Sequence, residues 1–371
     1  MLKGETTPGE KVFAILLIAL LGAAAAALVA LGNPGNMGLC GACFLRDWAG
    51  ALGFLAGKGP ACFRPEVAGV LLGALALAVL RGRFEARSGG HAASRLLLGA
   101  WMGVAALVFL GCPFRMLQRL GGGDLNAWVA LPGFLAGVWV ALRFEGKGYG
   151  AGKTSPAPWP LGLLGPLAAL VLLAVFLRGG HLMGPGPGDP AKPPHAPWMW
   201  ALLIALPAGA VLSATGFCAI SAARQVFQPR KAMLWAALAL VGGYAATAAA
   251  TGKFHGGFAG QPIAHGDLLW NILSLALLGL TGALAGGCPV RQMTMAGEGN
   301  GAAFVTLAGI LGGAAVAHTL GLVSVPATPE AAGGPTALGK IAVSAGLVFA
   351  LGYGLAMTRC CGKDPEGAPR A

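Results

Sequence analysis

The sequence predicts an all-α membrane protein built from two inverted repeats of about five transmembrane helices each, plus short re-entrant or half-helices. Three observations predict it. The composition suits lipid, the apolar runs have spanning length, and one set of motifs recurs in the same order in both halves.

Of 371 residues, 56% are hydrophobic and 10% charged, with mean hydropathy +0.72. Soluble domains carry about 25% charged residues. The 63 Gly fit the same class, because small residues let helices approach closely where the hydrophobic effect no longer drives association. Pairs at four-residue spacing recur: Gly69/Gly73, Gly99/Gly103, Gly133/Gly137, Gly282/Gly286 and Gly309/Gly313. The net charge of +12 does not indicate nucleic acid, since the basic residues sit singly or in small groups between apolar runs. The eight Cys do not form a secreted disulfide framework, because several lie inside or at the ends of those runs.

Taken along the chain, the runs give ten spans, near 11–31, 65–81, 94–111, 125–144, 159–177, 198–214, 231–251, 268–287, 300–323 and 337–358. The first is too long for the apolar core of a signal peptide. Two segments, 38–55 and 216–228, are too polar or too short to span and read as buried half-helices. The whole chain, 1–371, is one integral membrane domain. A first repeat covers 11–178, a Gly/Pro-rich linker 179–197, a second repeat 198–358, and a cytoplasmic tail 359–371. With the N-terminus inside, roughly two thirds of the Lys and Arg fall in cytoplasmic segments, which places both termini in the cytoplasm of a cell (inner) membrane protein. That count puts Arg46 and Arg115 in outside segments and Arg224 and Arg291 inside.

The repeat is carried by matched motifs. Gly38-Leu39-Cys40 with Arg46 matches Gly216-Phe217-Cys218 with Arg224, at the same Cys-to-Arg spacing. Cys112-Pro113-Phe114-Arg115 matches Cys288-Pro289-Val290-Arg291, and Gly123-Asp124-Leu125-Asn126 resembles Gly297-Glu298-Gly299-Asn300. Each half holds an odd number of spans, so the halves are inverted. Inverted repeats with interrupted helices are a recurring transporter plan.

Cys40, Cys112, Cys218 and Cys288 are the first candidates for a substrate pathway. A line of thiols suits a soft, polarisable solute, because S–H is a weak donor. Against this stands the ordinary role of Cys as a small buried hydrophobe. Arg46, Arg115, Arg224 and Arg291 form a second matched set that would attract an anion. Asp47, Asp124 and Glu298 are expected partners for these Arg residues. Asn126 and Asn300 are expected to cap the helices they open. Cys43 is secondary, since its repeat counterpart is Ser221. Cys-Pro lacks the spacing of zinc ligands, so no metal site is expected. No nucleotide-binding motif is evident, and no cofactor is expected.

At these residues the chain resembles the YeeE/YedE family of membrane proteins, closest to the branch associated with selenium metabolism. The resemblance is carried by the stretch from Asn33-Pro34-Gly35-Asn36 through Cys40 to Arg46-Asp47. It continues in Phe109-Leu110-Gly111-Cys112-Pro113-Phe114-Arg115, in Gly121-Gly122-Gly123-Asp124-Leu125-Asn126-Ala127 and in Gly287-Cys288-Pro289-Val290-Arg291. It implies uptake of a small sulfur or selenium compound. It also implies that membrane-embedded cysteines pass the anion along by transient S–H hydrogen bonds. By motif, Cys40, Cys112 and Cys288 carry that role; Cys218 follows from the internal repeat. Both Cys-Pro sites read Cys-Pro-x-Arg where the thiosulfate branch tends to have Gly-Gly-Cys, a small or polar stretch and Gly. Thiosulfate and a selenium species therefore both stay open.

The expected function is transport of a small sulfur- or selenium-containing anion along paired cysteines, with no enzyme activity. The alternative is a membrane redox or sulfur/selenium-transfer protein with a reactive Cys. Expected partners are the anion, the lipid bilayer and a cytoplasmic sulfur- or selenium-handling protein.

Overall fold

The computed structural model describes residues 2, 7–55, 59–152, 154–179 and 194–361. Most of the expected linker 179–197 and of the tail 359–371 lies outside these residues, and so do the side chains of Cys360 and Cys361.

The first helix, α1 (Pro8–Ala30), opens on a capping box. Thr7 accepts from the Glu10 N–H and Glu10 accepts from the Thr7 N–H, and Pro8 sits where no N–H is needed. A short buried helix, α2 (Ala42–Ala51), follows, then α3 (Pro65–Leu80) and α4 (Ala92–Phe109). After a break at Leu110–Cys112 the chain resumes as α5 (Pro113–Gly121), then α6 (Leu125–Glu145), a single turn α7 (Trp159–Gly162) and α8 (Leu164–Leu177). Beyond the linker come α9 (Trp198–Thr215), a short α10 (Ala219–Arg224), α11 (Ala232–Ala250) and α12 (Leu268–Leu284). Then follow α13 (Pro289–Gly297), α14 (Gly301–Thr319) and α15 (Ala337–Cys361). The only strands among the described residues are two-stranded antiparallel ribbons. The first pairs β1 (Arg87–Gly89) with β2 (Thr154–Pro156); the second pairs β3 (Ser324–Val325) with β4 (Gly334–Pro335).

Among the described residues, eight helical stretches are long and apolar enough to cross a membrane, and the chain is a multi-pass, all-α membrane protein. Two expected spans are shorter than a full crossing: α3 has 16 residues and α8 has 14. The expected half-helices are present as α2 and α10.

Two helices were not expected. Cys112-Pro113 and Cys288-Pro289 read as helix stops, yet each proline occupies the first turn of a new helix, where its missing N–H costs nothing. Thus α4 with α5, and α12 with α13, form broken 30-residue rods that are the most buried of the spanning stretches. Arg115, placed in an outside segment by the charge count, is therefore inside α5 and fully buried, as is Arg119. Arg46 lies in α2, also buried.

The helices pack in cross-pairs. α1 runs along α11 and α3 along α9, while α4 runs along α14 and α6 along α12. Glycine makes these approaches close. A Cβ on Gly73 of α3 would overlap the Leu206 carbonyl of α9, and one on Gly209 of α9 would overlap the Val70 carbonyl of α3. Four of the five glycine pairs seen in the sequence lie in such contacts. The exception is Gly282/Gly286, where a Cβ on Gly282 would meet the Ile220 side chain at 3.0 Å and no helix backbone closely, and Gly286 takes a positive φ of 87° at the α12–α13 break.

Candidate functional site

The four matched cysteines all lie at the starts of short helices. Cys112, Cys218 and Cys288 are the N-cap residues of α5, α10 and α13, and Cys40 precedes the N-cap Gly41 of α2. A short helix that begins among buried residues leaves its first N–H groups without backbone partners, and those dipole ends favour negative charge. Some of these N–H groups point at sulfur. The Gly41 N–H faces Cys112 Sγ, the Cys43 N–H faces Cys40 Sγ, and the Cys288 N–H faces Cys218 Sγ, each at 3.4 Å. Cys40 and Cys112 touch through their sulfurs at 3.4 Å. None of the four is in a disulfide, and all four are buried.

The two halves meet at these turns. A Cβ on Gly41 would come within 2.5 Å of Pro289 Cβ, so the Cys40 turn lies directly against the Cys288-Pro289 turn. Phe114, two residues after Cys112, meets Phe217, beside Cys218, edge to face at 6.2 Å.

Two clefts approach from one face, the face carrying Arg81 and Arg83. The larger, about 540 Å³, is bordered by Arg81, Arg83, Arg87, Thr215, Gly216 and Arg291. The second, about 350 Å³, is bordered by Tyr149, Ile220, Ser221, Arg224 and Gly286. Both therefore reach the chain next to Cys218 and Cys288. Burial pushes the Tyr149 hydroxyl, which donates to the Leu284 carbonyl at 2.9 Å, well above its ordinary range, so it stays a neutral donor at this rim.

Toward the other face the thiols are sealed. Arg115, 0% exposed, donates to the backbone carbonyls of Asn36, Gly35 and Pro262 at 3.0–3.2 Å and to that of Leu110. Gln118 clamps the turn before Cys40. Its Oε1 accepts from the Gly38 and Leu39 N–H groups at 2.8 and 3.3 Å, and its Nε2 donates to the Leu39 carbonyl. Arg119 pairs with Asp124 at 2.6 Å and lies over the Phe109 ring.

Each expected arginine has a partner. Arg46 pairs with Asp47 at 2.5 Å, Arg224 with Glu145 at 2.5 and 2.6 Å, and Arg291 with Glu298 at 3.1 and 3.2 Å. Arg224 and Arg291 border the clefts; Arg46 and Arg115 do not. Asn300 caps α14 as expected, accepting from the Ala303 N–H. At α6 the cap is Asp124 rather than Asn126. The Asp124 side chain accepts from the Asn126 N–H, and Asn126 donates to Asp124 and to the Phe258 carbonyl. Asp124 also serves Arg119, not Arg115.

The chain matches no protein-family model and no curated protein.

Gln118, Arg119, Arg64, Glu145 and Glu66 were not singled out from the sequence. Gln118 and Arg119 follow Arg115 by three and four residues, a helical spacing just after Pro113 that could have found α5 and its clamp. Cys40 and Cys43 keep a Cys-x-x-Cys spacing, but no group of three or more His, Cys, Asp or Glu suited to a metal occurs among the described residues.

Chemically, the arrangement offers a line of neutral donors. S–H groups and helix N-terminal N–H groups converge in a dry site, behind clefts with basic rims. Such a site can hold an anion whose outer atoms are large and weakly hydrated, without a fixed positive charge that would trap it.

Proposed function

We propose that the chain is an inner-membrane permease for a small sulfur- or selenium-containing anion. The anion passes Cys40 and Cys112, then Cys288 and Cys218, and leaves through the clefts at Arg291 and Arg224. One observation supports this above the rest: four buried thiols at four helix starts converge directly behind two clefts.

The cross-pairing supports reading the halves as inverted repeats. Exchanging first-half helices for their second-half counterparts turns the α1–α11 pair into α9–α3, and the α4–α14 pair into α12–α6. On this reading the face bearing Arg81 and Arg83 is cytoplasmic, and the arrangement is open to the cytoplasm and shut at Arg115. Arg115 and Gln118 then belong to the outer gate, while Arg224 and Arg291 guide the anion at the exit. The same reading keeps the chain within the YeeE/YedE resemblance, with thiosulfate and selenium species as the substrates to offer. A cytoplasmic sulfur- or selenium-handling acceptor fits the basic cleft.

The test is uptake into proteoliposomes of labelled thiosulfate, selenite and selenide, comparing wild type with Cys112→Ala/Cys288→Ala. Uptake of one species by wild type, abolished in the double variant, is expected. Equal uptake by both proteins would remove the thiol route.

A further inference from the structure

Beside Cys40 lies a charged group that the thiol route leaves unused. A void of about 10 Å³, room for a single water, is lined by Leu39, Cys40, Phe44, Glu66, Val290 and Met293, among others. Glu66 is 1% exposed, in the first turn of α3 just after Pro65. Its Oε1 accepts from Asn33 Nδ2 at 2.7 Å. Its Oε2 is fully buried and has no hydrogen-bond partner among the described residues.

Of the charges around it, Arg64 acts on Glu66 directly and keeps its Nη2 without a hydrogen-bond partner among the described residues, while its other donors are committed. Arg64 donates to Asp47 at 2.7 Å and to the Pro194 carbonyl at 3.0 Å, and it lies over the Phe44 ring. Arg46 takes the other oxygen of Asp47. α8 and α9, which pack on α3, carry no ionisable side chain, and α13 supplies only Arg291, paired with Glu298 at the cleft. The remaining titratable neighbours are the thiols of Cys40, Cys43 and Cys62.

An anion at Cys40 therefore adds a second negative charge beside the Glu66 carboxyl, where the Arg46 and Arg64 cations are already shared with Asp47. Two negative charges do not share a dry site; one group must be neutral. The carboxyl oxygen without a hydrogen-bond partner is where that proton would sit, and a protonated Oε2 would add an O–H donor beside the thiols.

We propose that Glu66 binds one proton whenever an anion occupies the Cys40 site, which makes the permease a proton–anion symporter. This rests on the transport reading above. The proton comes from water at the outer mouth, rides on Oε2 while the anion is at Cys40, and returns to water as the anion leaves for the clefts. No bond other than O–H forms or breaks.

The test uses the full-length protein in proteoliposomes with labelled thiosulfate and an internal pH dye. Wild-type uptake is expected to be about tenfold faster at acidic than at alkaline external pH and to acidify the lumen. Glu66→Gln, an uncharged stand-in for the protonated carboxyl, is expected to keep thiosulfate–thiosulfate exchange at a rate flat with pH, without acidification. The Cys40, Cys43 and Cys62 thiols are intact in this variant, so any slope due to them would persist. A Glu66→Gln protein with the wild-type pH slope overturns the proposal. So does a monodisperse Glu66→Gln protein that exchanges nothing. Wild-type uptake without acidification overturns it too, and does not depend on the variant folding. Wild type that takes up thiosulfate at no pH, with selenite and selenide also refused, overturns the transport reading itself.

Discussion

Gln118→Met would test whether a single side chain sets the position of Cys40. In the folded protein Gln118 Oε1 accepts from two backbone N–H groups, and Nε2 donates to the Leu39 carbonyl, all in a site with no solvent. Methionine has nearly the same length and leaves no cavity, so packing loss is small. What is lost is these three hydrogen bonds, of about 1 kcal/mol each, and a longer fourth one from Nε2 to the Phe114 carbonyl at 3.4 Å. Two N–H groups and one carbonyl are also left buried without partners, at about 1–3 kcal/mol each when no water reaches them. Part of that second cost is recovered as the turn relaxes, so a loss of about 3–5 kcal/mol is expected. The assay is reversible unfolding in mixed micelles, read alongside the rate at which a membrane-permeant maleimide labels Cys40. Labelling is expected to accelerate, because the turn that holds Cys40 Sγ 3.4 Å from Cys112 Sγ is released. A stability change under about 1 kcal/mol with unchanged labelling would refute the claim that Gln118 is the clamp.

Three further outcomes follow from the same geometry. Asp124→Ala strands the fully buried Arg119 charge and removes the α6 cap, and unfolding should cost about 3–5 kcal/mol less. Gly73→Ala should destabilise the protein by about 1–3 kcal/mol through overlap with the Leu206 carbonyl, read as a lower melting temperature in detergent, whereas Gly352→Ala, with open space around it, should not. Burial holds the His265 imidazole, outside the spans, down to about 4, with Nε2 against the Val108 carbonyl at 3.0 Å. The unfolded chain therefore takes up the proton first as pH falls. Stability is full above about 6.5 and declines toward pH 4, and a melting series should lose that slope in His265→Gln.

The spans were legible because lipid demands runs of about 20 apolar residues, and the glycine pairs because close approach in lipid demands small side chains. The matched cysteines were legible from repetition alone. The helices α5 and α13 were not, since Cys-Pro ends one helix and begins the next with the same two residues. The pairs Arg46–Asp47 and Arg291–Glu298 were legible because the partners are near in the chain, whereas the duties of Arg224 and Arg115 were not, because theirs are distant. Arg224 finds Glu145 79 residues away, and Arg115 finds the Pro262 carbonyl 147 residues away. Glu66 was hidden for a different reason. A Glu just after Pro is ordinary first-turn chemistry, and only the surrounding packing shows that its outer oxygen faces no partner.

The cross-pairing of helices has a consequence for how the chain is made. While the ribosome is still threading residues 198–358 into the bilayer, α1, α3, α4 and α6 are already inserted, but the surfaces they will pack against do not yet exist. Their glycine-lined grooves stand unfilled in that interval, and Arg115 lacks the Pro262 carbonyl. The first half is thus an assembly intermediate that cannot mature alone. Two fragments cut within 179–197 would be cleared when expressed singly and would recover function only when made together. Holding such a half-built bundle is work for a membrane insertase or an intramembrane chaperone.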